Sequence, residues 1–283
     1  MDVSLIPAAL PLRRVVLGIQ YDGNSWQGWQ TQPHGLTVQD KLEAALKQFT
    51  LAGIGVTCAG RTDSGVHALE QVVHFDTPIA RDKSSWTRGV NAFLPASIAV
   101  RWACELSVGA EDNAAAERED GFHARFSATA RTYHYVLYNH PVRSPLLAGK
   151  VGWTFRPLDV ALMQQAADYL VGEHDFSSFR AVECQAKSPV RTMSALQVRR
   201  HGDMIVFTLK ANAFLHHMVR NIVGSLIFVG NGRQPPQWVS HVLEQKDRSL
   251  AAPTFMPDGL YLAKVDYPAR WQLPQEEAAW PWQ

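Results

Sequence analysis

The stretch Cys58-Ala-Gly-Arg-Thr-Asp-Ser-Gly-Val-His-Ala68 carries the densest set of groups able to do chemistry. An apolar run enters Gly60, the chain turns through polar residues, and a second apolar run starts near Ala68. That pattern sets Arg61 and Asp63 on a short loop at strand ends, where proteins commonly hold reactive groups. Two readings are open. Thr-Asp-Ser-Gly is ordinary turn chemistry for a hairpin connection. Against that, the stretch holds more polar groups than a tight turn needs. Arg61 also lies two residues from Asp63, a cation placed to keep the carboxylate ionised and aimed. A carboxylate so held serves as nucleophile or base.

Arg131-Thr-Tyr133-His-Tyr135 puts Arg131, Tyr133 and Tyr135 on one face of a strand. Cross-strand packing explains such tyrosines. So does an aromatic face that stacks on a base and moves a proton. Residues 214–225 read as an apolar helix bearing Arg220. A guanidinium among apolar neighbours needs a buried anionic partner or a route to solvent for its head. Adjacent His216 and His217 would project about 100° apart on that helix. Two metal ligands on one face need the i, i+4 spacing, so no metal is expected. No third glycine completes a dinucleotide fingerprint after Gly55, and neither a phosphate-binding loop nor a GxSxG elbow occurs. Nucleotide and acyl-enzyme chemistry therefore have no support, and no cofactor is expected.

The elements that must position these groups follow from periodicity. Residues 13–21 read as a strand, and Thr37 caps a helix whose stripe is Leu42, Ala45, Leu46 and Phe49. Asp40 completes an acidic capping box. Strands at about 53–59 and 68–76, a helix at about 84–93 and a strand at about 98–106 give β-α-β-β-α-β, the ferredoxin-like split unit. The second half repeats the theme. A strand is expected at 131–138, then a helix at 159–171 with Leu162, Ala166, Tyr169 and Leu170 on one face. Strands at 190–200 and 204–211 meet in a tight hairpin at 201–203. Helices at 215–229 and 236–246 and a strand at 260–267 complete it. The fold class expected is α+β, two tandem ferredoxin-like units whose sheets join edge to edge. The boundaries are a tail 1–12, a domain 13–106, an acidic connector 107–120, a domain 121–268 and a tail 269–283. The connector holds five acids and one arginine.

Composition narrows the setting. With 283 residues and 46% hydrophobic content, the chain can bury one large core or two ordinary ones. Three cysteines without a CxxC pair argue against a disulfide framework or zinc site and fit a reducing cytoplasm. The first residues do not read as a signal peptide, and no run suffices for a membrane span. Net charge is +1, yet charge is segregated. Residues 122–143 hold three arginines and no acid, and 180–200 hold five basic residues against Glu183. Residues 210–243 hold three basic residues and no acid. Solvated faces are one meaning of such runs; a basic groove for a polyanion is the other.

Taken together, the chain resembles the TruA family of tRNA pseudouridine synthases over roughly residues 13–268. The match rests on Tyr21-Asp-Gly with Gly28-Trp-Gln, AGRTD.GVHA at 59–68 and FHARFSAT.R.Y at 122–133. HDF.SFRA at 174–181, HHMVRNIVGS at 216–225 and GLYL at 259–262 extend it. Ser64 stands where the family usually has alanine, and the connector is longer than usual. The resemblance implies a cytoplasmic homodimer that isomerises uridines 38, 39 and 40 of the tRNA anticodon stem-loop to pseudouridine, without cofactor or metal. It makes Asp63 the catalytic carboxylate, packs Tyr133 on the target base and pairs Arg220 with Asp63. Arg61 would assist base flipping. Phe122, His123, Ala124, Arg125 and Phe126 would touch tRNA, as would Glu183, Cys184, Gln185, Ala186 and Lys187, with Arg81 a further candidate. The chemistry suits the residues. A glycosidic C–N bond breaks, the uracil rotates and a C–C bond forms, with a carboxylate attacking C1′ or C6 or assisting glycal formation. The uridine must first leave its stack, which calls for aromatic and cationic neighbours. The rival expectations are another RNA target, or a non-catalytic RNA-binding module with no need of Asp63.

Overall fold

The computed structural model describes residues 11–106 and 121–275. The connector expected at 107–120 lies outside the described residues, as do residues 1–10 and 276–283 of the two tails. The first half runs β1 (Arg13–Tyr21), α1 (Val38–Thr50), β2 (Thr57–Cys58), β3 (His67–Thr77), α2 (Lys83–Asn91) and β4 (Ile98–Leu106), in the expected order. Thr37 and Asp40 form the expected reciprocal cap on α1. The second half runs β5 (Ala130–Asn139), β6 (Gly152–Thr154), α3 (Val160–Asp168), β7 (Gly172–Asp175), β8 (Val190–His201) and β9 (Met204–Ala211). It continues through α4 (Met218–Gly230), α5 (Gln237–Gln245) and β10 (Leu260–Asp266). No helix among the described residues is long and apolar enough to cross a membrane.

All ten strands share one sheet, in the order β4-β1-β3-β10-β5-β9-β8-β7, with β2 on β3 and β6 on β5. The halves meet where β10 lies parallel to β3, pairing Tyr261 with His67 and Leu262 with Ala68. This is the expected edge-to-edge junction. The strand expected at 53–59 shrinks to Thr57–Cys58. One edge of β3 serves two neighbours: β2 pairs with Val73 and His74, and β10 takes the stretch at 67–68. The loop 59–66 leaves the sheet at the point where the second half docks.

Residues from α1 to α5 pack with the sheet into one large apolar cluster. Alternate strand residues Leu69, Val136, Tyr261 and Ala263 form a small cluster with Val151 on the opposite face. Helix α4 is apolar nearly all round and correspondingly buried, from Met218 to Gly230. It begins three residues later than periodicity suggests, because His217 adopts a left-handed conformation with φ 60°. The buried face of α3 is Met163, Ala166 and Ala167, followed by Leu170, while Tyr169 is exposed. Of the expected stripe Ala166 and Leu170 are buried, while Met163 and Ala167 take the inward places expected for Leu162 and Tyr169. Strands β6 and β7 escape sequence periodicity because three or four residues carry too little pattern.

Candidate active site

The loop that carries Asp63 is fastened at nearly every residue. Arg131 Nη2 donates to the Ala59 carbonyl at 3.0 Å, and Gln71 Nε2 donates to the Gly60 carbonyl at 2.6 Å. The buried hydroxyls of Tyr21 and Thr62 lie 2.7 Å apart, and Trp29 N–H donates to the Thr62 carbonyl. Val66 N–H closes a turn onto the Asp63 carbonyl at 3.2 Å. Gly28, at φ +84°, lets the chain pass under this loop; a Cβ there would stand 2.9 Å from the Thr62 carbonyl oxygen. Asp63 thus sits on a rigid turn, with more anchoring than a hairpin connection requires.

The carboxylate meets the start of α4. Arg220 Nη1 donates to Asp63 Oδ2 at 3.1 Å, and its Nε donates to the Phe255 carbonyl at 2.8 Å. His217 Nε2 lies 3.3 Å from the same Oδ2, and His216 Nε2 lies 3.4 Å from Oδ1. The side chains of Arg220 and Asp63 are 14% and 22% exposed, so the pair is screened but reachable. The first turn of a 13-residue helix adds its positive end to these cations. Burial lowers the His217 pKa, and His216 and Arg220 push the same way against the pull of Asp63. His217 is thereby kept neutral near pH 7.

These positions revise two sequence expectations. Arg61 is exposed and forms no ion pair with Asp63; the cation that holds the carboxylate is Arg220. His216 and His217 precede α4 and converge on Asp63, so the helical divergence invoked against a metal site does not apply. Their nitrogens and an Asp63 oxygen lie within 4.8 Å of one another, a cation-ligand grouping in geometry. Arg220 already occupies that carboxylate, and a metal there would meet its charge. Sequence reasoning missed both histidines as neighbours of Asp63. Their adjacency to Arg220 in the chain was the available signal.

Tyr133 lies on β5 with 9% exposure, its ring edge-on to Phe214 at 4.9 Å. Burial, and then the Asp63 charge, push its phenol pKa far up. Tyr135 donates its hydroxyl to the Met256 carbonyl and belongs to the core. Arg131, at the head of the same strand face, donates to the carbonyls of Ala59, Arg125, Ala128 and Asn212. One guanidinium therefore ties the Asp63 loop to the 122–126 segment.

The run 122–126 splits in two. Phe122 and Ala124 are buried at 2% and 0%, Phe122 packing against His74, Tyr267 and Trp271. Neither is available to a ligand, which corrects the expectation for these two. His123 stacks on Phe126 at 4.3 Å, Arg125 stands over the same ring at 5.7 Å, and Phe126 is 77% exposed. Glu183, Gln185 and Lys187 are exposed and Cys184 and Ala186 half-buried. Their loop is joined to the site by the Ala181 N–H to His216 carbonyl bond. Arg81 stands over Phe49, beyond the far end of β3 from the Asp63 loop, and is not brought to the site.

Comparison with known proteins places the chain in a family. The family model described as tRNA pseudouridine synthase matches residues 18–112 and 166–268, which include the Asp63 loop and the Arg220 helix. The tRNA pseudouridine synthase A of Herminiimonas arsenicoxydans is 66% identical over 269 residues, 95% of each chain. That of Janthinobacterium sp. (strain Marseille) is 65% identical over 265 residues, 94% of this chain and 96% of the other. That of Burkholderia thailandensis is 56% identical over 270 residues, 95% and 96% of the two chains. A chain in the crystal structure of a Cbf5–Nop10–Gar1 complex aligns with a TM-score of 0.32 at 13% identity, covering 75% of this chain and 45% of that one. That likeness is too slight to carry any argument. With identity this high across nearly the whole length, the chain belongs to the TruA family of tRNA pseudouridine synthases, isomerases that act on uridine in tRNA.

Proposed function

We propose that the enzyme isomerises uridines 38, 39 and 40 of the tRNA anticodon stem-loop, with Asp63 as its catalytic carboxylate. The observation that carries this reading is the Arg220–Asp63 pair at 3.1 Å, built from a fastened loop and a helix start on opposite halves of the chain. In this reading Arg220 keeps Asp63 ionised, and Tyr133 forms the floor on which the flipped uracil packs. Arg61, exposed and uncommitted to Asp63, fills the gap left by the extruded base. The stacked His123–Phe126 pair with Arg125, and the loop 183–187 with Lys187, contact the RNA backbone and splayed bases. Residues 13–106 and 121–268 act as two domains, one supplying Asp63 and the other Tyr133 and Arg220. The enzyme works as a cytoplasmic homodimer. Free thiols at Cys58, Cys104 and Cys184 support a reducing compartment.

The decisive experiment is Asp63→Asn with tRNA transcripts mapped for pseudouridine at each nucleotide. The variant is expected to fold, to bind tRNA as the wild type does and to form no pseudouridine, since near-isosteric substitution removes only charge and basicity. Turnover near the wild-type rate would end the reading. Modification of wild-type substrate outside positions 38–40 would assign a different target.

A further inference from the structure

The two oxygens of Asp63 are not equivalent. Oδ2 is occupied by Arg220 Nη1 and faced by His217, whereas Oδ1 faces His216 alone. His216 is also the more open histidine, its side chain 41% exposed against 27% for His217. The oxygen free to meet a reacting sugar or base is therefore Oδ1, and the nearest imidazole to it is that of His216.

The isomerisation also requires a proton acceptor distinct from the carboxylate's first role. Once the C1′–N1 bond is broken and the uracil has turned, C5 bonds to C1′ while retaining its hydrogen, and N1=C6 is an imine. The C5–H electrons must then restore C5=C6, the displaced pair returns to N1, and a proton moves from C5 to a base. Tyr133 is ill suited to that task near neutral pH, because burial and the Asp63 charge hold its phenol protonated. We propose that His216 is a catalytic residue: its Nε2 takes the C5 proton, and the imidazolium returns a proton to N1 or to water. One proton leaves C5 and one arrives at N1, so no co-reactant is consumed. The proposal rests on Asp63 being the catalytic carboxylate, whichever atom that carboxylate attacks. The charged and titratable groups around the imidazole are Asp63, His217 and Arg220, with Glu183 acting on His217.

The test is single-turnover conversion of tRNA bearing protium or deuterium at uridine C5, by wild type and by His216→Gln. Loss of a general base slows its step by roughly 100-fold or more. His216→Gln is expected to keep its fold and tRNA affinity, to lose rate on that scale and to show a larger deuterium isotope effect than wild type. Should glutamine disturb the fold, His216→Ala with added imidazole reads the same function, and restoration of rate by imidazole is the expected result. Wild-type turnover of His216→Gln would overturn the proposal. So would a slowing with no change in isotope effect, or a His216→Ala variant that imidazole fails to restore; His216 would then only position Asp63. The Asp63→Asn result separates the levels. An active Asp63→Asn removes the underlying reading, whereas an inactive one beside a fully active His216→Gln removes this proposal alone.

Discussion

At the scale of single residues, the energetics of Arg220 follow from how Asp63 is shared. Removing one member of a fully buried ion pair costs about 3–5 kcal/mol, because the other charge stays behind unpaired. Here Asp63 is 22% exposed and keeps two imidazoles within 3.4 Å, which become its hydrogen-bond partners when Arg220 is gone. Arg220→Met is therefore expected to lower unfolding free energy by a smaller amount, about 1–3 kcal/mol, part of it from the lost bond to the Phe255 carbonyl. Turnover should fall far more, since the carboxylate loses its strongest support. Urea unfolding together with single-turnover kinetics checks both, and a stability loss at or above the fully buried value would show that the histidines do not compensate. Much of this site was legible beforehand. Asp63 stood out by its crowded polar loop, and Arg220 by a charge set in an apolar helix. The histidines did not, because nothing in the residue types at 216 and 217 announces a left-handed turn, and without it periodicity starts the helix earlier and sets their rings apart. Inward and outward residues of the 122–126 run were likewise inseparable from composition alone; burial of Phe122 depends on His74 and Trp271, which lie far off in sequence.

At the scale of elements, half-buried Glu70 and buried His74 on β3 oppose each other in their effects on stability, with His67 on the same strand acting in the direction of His74. Gly18 on β1 lets the Trp102 ring lie across that strand, where a Cβ would stand 2.2 Å from it, and the indole reaches Glu70 on β3. Burial pushes Glu70 from 4.5 up to about 7. Between those values the folded state holds a proton that the unfolded chain has lost, so stability falls as pH rises. Further along β3, His74 accepts a bond from Ala124 N–H through Nδ1, and burial, with help from Arg14 and His123, lowers it from 6.5 to about 4. Between those values the unfolded chain binds the extra proton, so stability rises with pH. The two windows overlap from 4.5 to 6.5, and each slope integrates to on the order of 3 kcal/mol. These two slopes offset each other, so the rise of stability with pH in wild type is left to other histidines that burial also lowers, among them His67, His134 and His217. Glu70→Gln should steepen that rise and make the protein more acid-sensitive, while His74→Asn should flatten it. Thermal melts of the three proteins across pH 4 to 7 decide it, and parallel curves would mean that neither group titrates as its burial dictates. Elements were well forecast where periodicity had length to act, as in α1 with its cap and in the β8–β9 hairpin. The shortened β2 was not, because residue types alone do not tell how much of the apolar run 53–59 pairs with β3.

At the scale of the whole molecule, the edge of β3 shared by β2 and β10 makes the two halves interdependent. His67 lies 191 residues from Asp258, whose carbonyl it contacts just ahead of β10. A protein ending at Asp258 would lose Leu260, Leu262 and Val265 from the core along with the only parallel neighbour of His67 and Ala68 among the described strands. Such a truncation is expected to be inactive and to melt well below the intact protein, with partial recovery when the missing strand is added as a peptide. Retained activity would show that the first half seats Asp63 unaided. The tandem pattern of two similar units was readable from the order of elements, but no local signal tells that the last strand of the second unit completes the first. The arrangement has a consequence for how the enzyme is made. A ribosome exposes β10 about 200 residues after Asp63, roughly 10 to 40 s later at ordinary elongation rates. Throughout that interval the nascent chain stands among charged tRNAs carrying its carboxylate but no assembled site. Activity is thus tied to completed synthesis, and a fragment from an interrupted message is silent without any dedicated inhibitor.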